Sequence, residues 1–351
     1  MVISSYRLTI TDIVVDTVDV YTYVFYPVVV AYQPGQFLTL LVQIDGQEVR
    51  RSYSITSAPT VAGELVEQPL AITIKRVENG WVSRYLIDHL RIGDVVDSLP
   101  PAGRFTLPTT TEPRDVVLIG AGSGITPLFS ILIYTLNHEP TARVTLLDVN
   151  TSEKTIIYRA ALDALQQQYP DRFQLIHLLS QPTDAWAGRR GRLNNLLLER
   201  LLPDLTRGPA AAALWFLCGP PDFMRMVRFT LTYLGIPPQQ IRRELFVTEP
   251  VNVPSAARFV VPDRIIQLRF RGEIYSLLVP SGSTVLQAAL AAGIALPYSC
   301  RGGRCATCAG VCRNGRVQMS INDVLTERDL AEGWVLTCTA YPETDGIFIE
   351  V

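Results

Sequence analysis

Lysine is almost missing from this chain of 351 residues. Lys75 and Lys154 are the only two, so 29 of the 31 basic residues are arginine. Acids and bases nearly cancel, and the formal charge of −2 gives no basic surface of the kind that neutralises nucleic-acid phosphates. Histidine occurs only as His89, His138 and His177, none of them in a motif, so no two-histidine, one-carboxylate set for a non-haem iron is present. There is no internal repeat and no low-complexity tract. The N-terminus alternates polar and apolar residues from Tyr6 to Ile13 instead of running basic then apolar, which predicts no export signal. The longest uncharged run, Val116 to Asn137, is long enough to raise a membrane span. Gly120, Gly122, Gly124 and Pro127 interrupt it, however, and a strand, a tight turn and a helix explain it better. No membrane span is expected, and six cysteines in a chain without an export signal point to a reducing, cytoplasmic location.

The material that is present suits ordinary globular cores. Apolar residues make up 48% and charged residues 18%, and the length predicts two to three domains. Four of the cysteines, Cys300, Cys305, Cys308 and Cys338, fall in the pattern C-x4-C-x2-C-x29-C, the plant-type spacing for a 2Fe–2S cluster. Structural zinc prefers pairs of C-x2-C or Cys/His knuckles. Glycine and small residues in Ser299–Cys308 let the loop wrap closely around an inorganic core with backbone N–H groups toward its sulfurs. Cys312 lies outside the pattern and reads as an ordinary packed or surface thiol.

Three grammars follow one another along the chain. Over 1–111, short strands (Tyr6–Ile13, Val20–Phe25, Gln36–Val42, Val49–Ser54, Leu70–Val77) and one helix, Val82–Leu90, predict an antiparallel β-barrel. Over 112–247, strands Val116–Ile119, Val144–Val149, Phe173–Leu178, Leu214–Cys218 and Arg243–Val247 alternate with helices near 125–137, 158–168, 192–201 and 221–234. That alternation predicts an α/β unit with a parallel sheet covered on both faces. Residues 248–262 carry three prolines without periodicity and read as a stiff, extended linker. Over 263–351, paired strands Ile265–Phe270 and Tyr275–Val279, a helix Thr284–Ala292, the cysteine loop and a closing strand Ile347–Val351 predict a small α+β unit of the β-grasp kind, a sheet gripping one helix.

Several short motifs carry chemistry. In Arg51-Ser52-Tyr53-Ser54 an arginine can pair with a phosphate, a tyrosine can lie on a fused ring and a serine can bond a ring nitrogen. Gly80-Trp81-Val82-Ser83 opens the helix of the barrel region, with Ser83 as its expected cap and the helix N-terminus as a site for a pyrophosphate. Gly120-Ala121-Gly122-Ser123-Gly124-Ile125-Thr126-Pro127 joins the first parallel strand to its helix. There glycines admit a dinucleotide pyrophosphate and the helix dipole favours its charge. Cys218-Gly219-Pro220 ends the fourth parallel strand, at the edge where open parallel sheets bind ligands.

In this order the motifs resemble the ferredoxin–NADP reductase superfamily, and the appended ferredoxin resembles the reductase components of bacterial oxygenases. Closest in layout is the reductase subunit of phenylacetyl-CoA epoxidase, with steroid-ring and aromatic hydroxylase reductases alongside. The resemblance covers essentially the whole chain. It implies an NAD(P)H-dependent electron-transfer enzyme serving a partner oxygenase or other electron-acceptor protein. Such an enzyme takes two electrons from a nicotinamide at a flavin and passes them singly to a 2Fe–2S cluster. A general NAD(P)H–ferredoxin or quinone reductase is the alternative, and a redox-sensing module a third. By resemblance, Arg51 binds flavin phosphate, Tyr53 stacks on the ring, Ser54 approaches its N5, and Gly80, Val82 and Ser83 hold the pyrophosphate. Gly120, Gly122, Ser123, Gly124, Ile125, Thr126, Pro127, Cys218, Gly219 and Pro220 embrace NAD(P)H, with Tyr53, Ser54, Thr126 and Cys218 nearest the chemistry.

Phthalate-dioxygenase-type reductases share the domain order but use FMN. Arg51–Pro59 and Gly80–Ser83 look more like the FAD members, so FAD is expected. Many members carry Asn-Arg after the second parallel strand, the arginine gripping a 2′-phosphate. This chain has Asn150-Thr151-Ser152-Glu153-Lys154 instead. Lys154 is a substitute for that arginine, while Asp148 would favour a free 2′-hydroxyl, which leaves NADH against NADPH open. Around the cluster loop, Arg301, Arg304, Arg313 and Arg316 stand in a stretch, Cys300 to Asn322, without acids. They either pair with the chain's own acids, such as Asp323 or Glu327, or form a basic collar for docking.

Overall fold

The structure, a computed structural model, describes residues 5–246 and 262–351. The linker expected over 248–262 lies outside the described residues except for Pro262. Strands β1 (Tyr6–Thr17), β2 (Val20–Val30), β3 (Phe37–Ile44), β4 (Gln47–Ser54), β5 (Val66–Lys75) and β6 (Val95–Ser98) form an antiparallel sheet ordered β4-β3-β6-β1-β2-β5. Helix α1 (Trp81–His89) lies between β5 and β6 in the chain. A bridge between Ile55 and Ile72 brings the two edges together, so the sheet curls into a barrel. Its interior is filled by the inward residues of alternating strands, among them Leu8, Ile10, Phe25, Leu38, Leu40, Leu70 and Ile72, with Val82 and Leu86 of α1 packed against them. Asp45 and Gly46, at φ +52° and +77°, make the two-residue turn that a tight hairpin needs. That turn sets the register of β4 and hence the facing of Arg51 to Ser54.

The second sheet is parallel. Its elements are β7 (Asp115–Ala121), α2 (Ile125–His138), β8 (Arg143–Asn150), α3 (Arg159–Gln168), β9 (Phe173–Leu179), β10 (Arg189–Arg190), α4 (Asn195–Leu205), β11 (Leu214–Cys218), α5 (Pro221–Tyr233) and β12 (Ile241–Glu244). The order β10-β9-β8-β7-β11-β12 reverses direction between β7 and β11, and the crevice at such a switch point is where open parallel sheets take ligands. Residues 116–119 of β7 are wholly buried, as a strand covered on both faces requires. Helices α2 and α3 cover one face together with Phe105 and Leu107 from the barrel side, and α4 and α5 cover the other. Helix α4 begins at Asn195, later than the expected 192, because the Asn194 side chain caps it by accepting the Leu197 N–H at 2.9 Å.

The third unit has β13 (Arg264–Phe270), β14 (Glu273–Val279), α6 (Val285–Ala291), β15 (Ala309–Asn314), β16 (Val317–Met319), α7 (Glu327–Ala331), β17 (Trp334–Leu336), β18 (Ala340–Pro342) and β19 (Phe348–Glu350). A five-stranded mixed sheet, β14-β13-β19-β15-β17, and a ribbon, β16-β18, pack on α6 through Ile266, Leu268, Leu277, Leu286 and Ile349. Thr284 accepts the Gln287 N–H at 3.2 Å and the Gln287 side chain returns the bond to the Thr284 N–H, a reciprocal cap whose loss typically costs ~1 kcal/mol. Strands β6, β10 and β15 to β18 were not among those expected. The last parallel strand runs Ile241–Glu244 instead of beginning at Arg243. Among the described residues, no helix is long and apolar enough to cross a membrane.

Candidate functional site

A cleft of about 340 Å³ opens between the barrel, the carboxyl end of the parallel sheet and the cysteine loop. Arg51, Ser52 and Ser54 of β4 line it, with Phe37 of β3, Arg243 and Glu244 of β12, and Cys300 and Cys305 from the third unit. Tyr53 does not line it. Its ring packs on the barrel core, and burial pushes its phenol well up from its ordinary value, so it stays neutral. Ser54 Oγ donates to Glu244 Oε2 at 3.2 Å, which ties the barrel to the end of β12. Glu244 is 8% exposed. Burial pushes its carboxyl up to about 8, against the opposing pull of the Ser54 bond.

Sequence reasoning gave Glu244 no role. The only local signal is an acid placed at the carboxyl end of the last parallel strand. The ladder β7-β11-β12 sets Gly120 beside Cys218 and Cys218 beside Glu244. Cys218 is fully buried, and burial, with the nearby Glu244 carboxylate, drives its thiol far up. It is therefore a neutral thiol, not a thiolate. The turn after β7 presses against it: a Cβ on Gly124 would lie 2.1 Å from the Cys218 carbonyl oxygen. Gly122 has φ +55°, a conformation glycine adopts without cost. Thr126 is buried and spends its hydroxyl on the Ser123 carbonyl at 3.0 Å, so it braces the turn from inside. Ile125 and Pro127 are buried beneath it, while Ser123 and Gly219 are half-buried and Pro220 is exposed.

At the barrel helix one expectation needs correction. Gly80, not Ser83, occupies the cap position of α1, and no side chain caps that end. Ser83 lies inside the first turn, where its hydroxyl accepts the Val77 N–H at 3.2 Å and donates to the Gly80 carbonyl at 3.4 Å. A Cβ on Gly80 would meet Ser83 Oγ at 2.6 Å, so the turn closes only around glycine. Val82 is buried against the barrel. The first-turn N–H groups of α1 are left without side-chain partners, which suits an anion there. Neither Gly80 nor Ser83 lines the cleft that Arg51 and Ser54 share.

The four cysteines of the spacing motif fall into two pairs. The neighbouring Cys305 side chain is the largest influence on Cys300 and draws its thiol down, against the effect of burial. Cys308 is paired with Cys338, which together with burial pushes its thiol up. Among the described residues no three His, Cys, Asp or Glu side chains converge as a single metal ion would need. Two pairs of thiols are instead what two irons sharing four cysteines require. The Gly302 N–H donates to Cys300 Sγ at 3.4 Å. Arg301, Gly303 and Ala306 all have positive φ, and a Cβ on Gly303 would lie 2.5 Å from the Ile321 carbonyl oxygen. The residues fit a 2Fe–2S cluster. Cys312, on β15, donates to the Asn314 carbonyl at 3.2 Å and belongs to neither pair.

The third unit is held to the barrel by polar contacts that sequence reasoning missed. Arg50 donates to the Tyr298 carbonyl at 3.4 Å and lies 4.0 Å over its ring, on which Arg301 also stacks at 4.1 Å. Ser52 Oγ donates to Ser299 Oγ at 3.0 Å. Arg104 donates to Asp329 through Nε at 2.9 Å and again through its terminal nitrogen, and stacks 3.9 Å over Trp334. Of the arginines near the cluster, Arg304 pairs with Asp323 at 3.0 Å and Arg313 with Glu350 at 2.7 Å.

Residues 18–107 match the oxidoreductase FAD-binding domain family, 118–228 the oxidoreductase NAD-binding domain family, and 270–343 the 2Fe-2S iron-sulfur cluster binding domain family. The chain is 36% identical over 323 residues to the ferredoxin reductase component of 3-ketosteroid-9-alpha-monooxygenase from Mycobacterium tuberculosis, covering 90% of this chain and 84% of that one. It is 33% identical to one of the subunits of 1,2-phenylacetyl-CoA epoxidase from Escherichia coli, covering 98% and 97%. The chain belongs to the ferredoxin–NADP reductase superfamily, in the branch with a C-terminal 2Fe–2S domain. Phthalate dioxygenase reductase shares the reductase fold, with a TM-score of 0.57 at 20% identity over 99% of this chain and 98% of that one. The reductase departs from the expected nucleotide contacts at the end of β8. Asp148 is fully buried and faces Asn150 and His177, so it is not itself at hand for a ribose. Lys154 is exposed on the short turn that follows.

Proposed function

We propose that this reductase draws electrons from NADH or NADPH and delivers them to a partner oxygenase, holding FAD at the cleft and a 2Fe–2S cluster on Cys300, Cys305, Cys308 and Cys338. The observation that carries the reading is the cleft itself, which gathers Arg51, Ser54 and Glu244 with two cluster cysteines in one space. When bound, FAD accepts an electron pair and releases it singly, and the cluster takes one electron at a time. Arg51 offers a phosphate a charge-assisted contact, and the N–H groups at the start of α1, opened by Gly80, suit its neighbour. Ser54 and Glu244, the latter neutral below about pH 8, keep a proton at Glu244 on the floor of the cleft. The Gly120–Pro127 turn and Cys218–Pro220 meet at the switch point, where a nicotinamide nucleotide would lie against the cleft. The oxygenase partner follows from relatives that are ferredoxin reductase components of monooxygenases. We divide the chain as 1–111, 112–247 and 263–351 with 248–262 between, and place it in the cytoplasm, where the two cysteines outside the cluster set, Cys218 and Cys312, remain reduced.

The test is a spectrum of the purified holoprotein, flavin and iron analysis, and anaerobic mixing with NADH and with NADPH. The reading predicts about one FAD and two irons per chain, flavin bleaching first and cluster bleaching after it. A protein that binds flavin and iron but is bleached by neither nucleotide would refute it.

A further inference from the structure

Resting on the reading of the cleft as the place where nicotinamide and flavin meet, we infer that Tyr158 is a positioning residue for hydride entry. It pins the helix behind the glycine turn against the barrel strand that closes beside Ser54. In that step a hydride leaves the reduced nicotinamide with its electron pair, the nucleotide is oxidised and the flavin is reduced. The rate depends on how two separately built units are held, and a shift of about 1 Å can cost about 10²-fold. Tyr158 stands where the units join. It precedes α3 at φ +59°, a left-handed conformation that is strained for an aromatic residue. Ile157 and Leu162, on either side, are buried in the core of the parallel unit, so the backbone is not free to relax. The Tyr158 ring is 8% exposed and stacks on Phe129 of α2 at 4.2 Å. Its hydroxyl crosses to the barrel and donates to Thr73 Oγ1 on β5.

The direction of the hydrogen bonds fixes that contact. Thr22 and Thr73 stand opposite each other on β2 and β5, their hydroxyl oxygens 2.6 Å apart. Thr22 spends its one proton on Asp16 Oδ2 at 2.6 Å. Thr73 therefore donates to Thr22, which leaves Thr73 Oγ1 to accept from Tyr158. A run of hydroxyls that ends on a carboxylate strengthens each bond in it. The pin lands where the two halves of the cleft are set. Thr73 follows Ile72, whose bridge to Ile55 closes the barrel, and Ile55 follows Ser54. On the other side, Phe129 lies two residues past Pro127, where the glycine turn enters α2. The neighbouring Ser130 is wholly buried and donates to the Ser57 carbonyl of the barrel at 2.7 Å. Tyr158 and Ser130 thus tie the same helix to the same edge of the barrel, and the glycine turn and Ser54 keep one relative placement.

The experiment is anaerobic rapid mixing of the holoprotein with saturating NADH or NADPH, whichever bleaches the wild-type flavin faster. Flavin bleaching is followed together with the long-wavelength charge-transfer absorbance of stacked nicotinamide and flavin, and ADP-ribose is titrated by calorimetry. Tyr158→Phe keeps the ring, its stack and the left-handed backbone and removes only the hydroxyl. It should slow bleaching about tenfold and weaken the charge-transfer absorbance, with ADP-ribose affinity within about twofold of wild type. Thr73→Val removes the acceptor from the barrel side and leaves Tyr158 whole, so it should act alike, and it decides alone if Tyr158→Phe does not fold. The double variant should be no slower than the slower single one. A purely structural role would lower Tm and leave the bleaching rate and the charge-transfer absorbance at wild-type values. Slowing of less than about threefold in the variants overturns the inference, as does a double variant slowed by the product of the two single effects. Loss of ADP-ribose affinity in step with the bleaching rate overturns it too, since the parallel unit itself would then be damaged. A wild-type flavin bleached by neither nucleotide would instead overturn the reductase reading, and this inference with it.

Discussion

Replacing Arg104 with alanine should release the 2Fe–2S unit from the barrel without touching hydride transfer. Arg104 reaches across the interface to Asp329 with two nitrogens, stacks on Trp334, and comes within 4.0 Å of Glu332. Its side chain is 27% exposed and that of Asp329 only 10%. Hydrogen bonds to a charged group contribute about 1.5–3 kcal/mol. The stack on indole adds about 0.5–1 kcal/mol at a partly exposed position. Together, about 2–4 kcal/mol corresponds to a docking constant roughly 30- to 700-fold weaker. Rapid mixing of the holoprotein with NADH separates two phases, flavin bleaching and cluster bleaching. The first should be unchanged within about twofold and the second clearly slower, with Asp329→Asn acting in the same direction and the double variant no worse than the more damaging single one. Cluster bleaching at the wild-type rate in both variants would refute the latch, and equal slowing of both phases would show damage to the barrel instead. The contact also has a pH sign. Burial works against the Asp329 charge, but the bonds from Arg104 and Thr326 outweigh it and hold the carboxyl below its ordinary value. Its contribution is thus present above the ordinary carboxylate range and lost as pH falls through the lowered value.

Serine at Cys300, Cys305, Cys308 or Cys338 should abolish the visible cluster spectrum with flavin largely retained, whereas Cys312→Ser should keep it; iron analysis decides. Arg51→Ala should weaken flavin affinity by about 1.5–3 kcal/mol, roughly ten- to a hundredfold or slightly more, measured by flavin release on dilution. Glu244→Gln should flatten the pH dependence of thermal stability. A carboxyl raised to about 8 in the fold contributes fully below its unfolded value of ~4.5 and loses that contribution as pH rises through about 8. Unchanged pH dependence of Tm in the variant would show that Glu244 is not the titrating group.

The parts of the site that a sequence reveals are those whose chemistry fixes spacing along the chain. Four thiolates on two irons demand a compact loop and one distant ligand, so Cys300 to Cys338 were legible. The glycine turn after β7 was legible too, because backbone approach and a positive φ at Gly122 leave a residue signature. Arg104 left none, and Glu244 only an acid near the end of a strand. Ser54 meets Glu244 across 190 residues and Arg104 meets Asp329 across 225, and no local pattern encodes a partner that far away. Ser83 was misplaced for a different reason. A serine near a helix start usually caps it, but Val77 lies close enough upstream to claim its oxygen, and the cap position has room only for Gly80.

The arginines around the cluster show why charge counted along a chain is a poor guide to the field outside it. The stretch from Cys300 to Asn322 contains four arginines and no acid, which reads as a basic collar. Folding brings acids from elsewhere. The antiparallel pairing of β15 with β19 sets Val311 opposite Glu350, and from there the carboxylate reaches Arg313 at 2.7 Å and Arg269 at 2.7 Å. The loop after β16 returns Asp323 to Arg304. Arg301 turns onto the Tyr298 ring that Arg50 also covers, so its charge lies at the seam with the barrel. Each exposed pair contributes only about 0–1 kcal/mol to stability, yet each cancels a charge that a partner would otherwise feel. What looked like a surface for another molecule is largely spent on fixing the cluster loop to its own sheet and its own barrel.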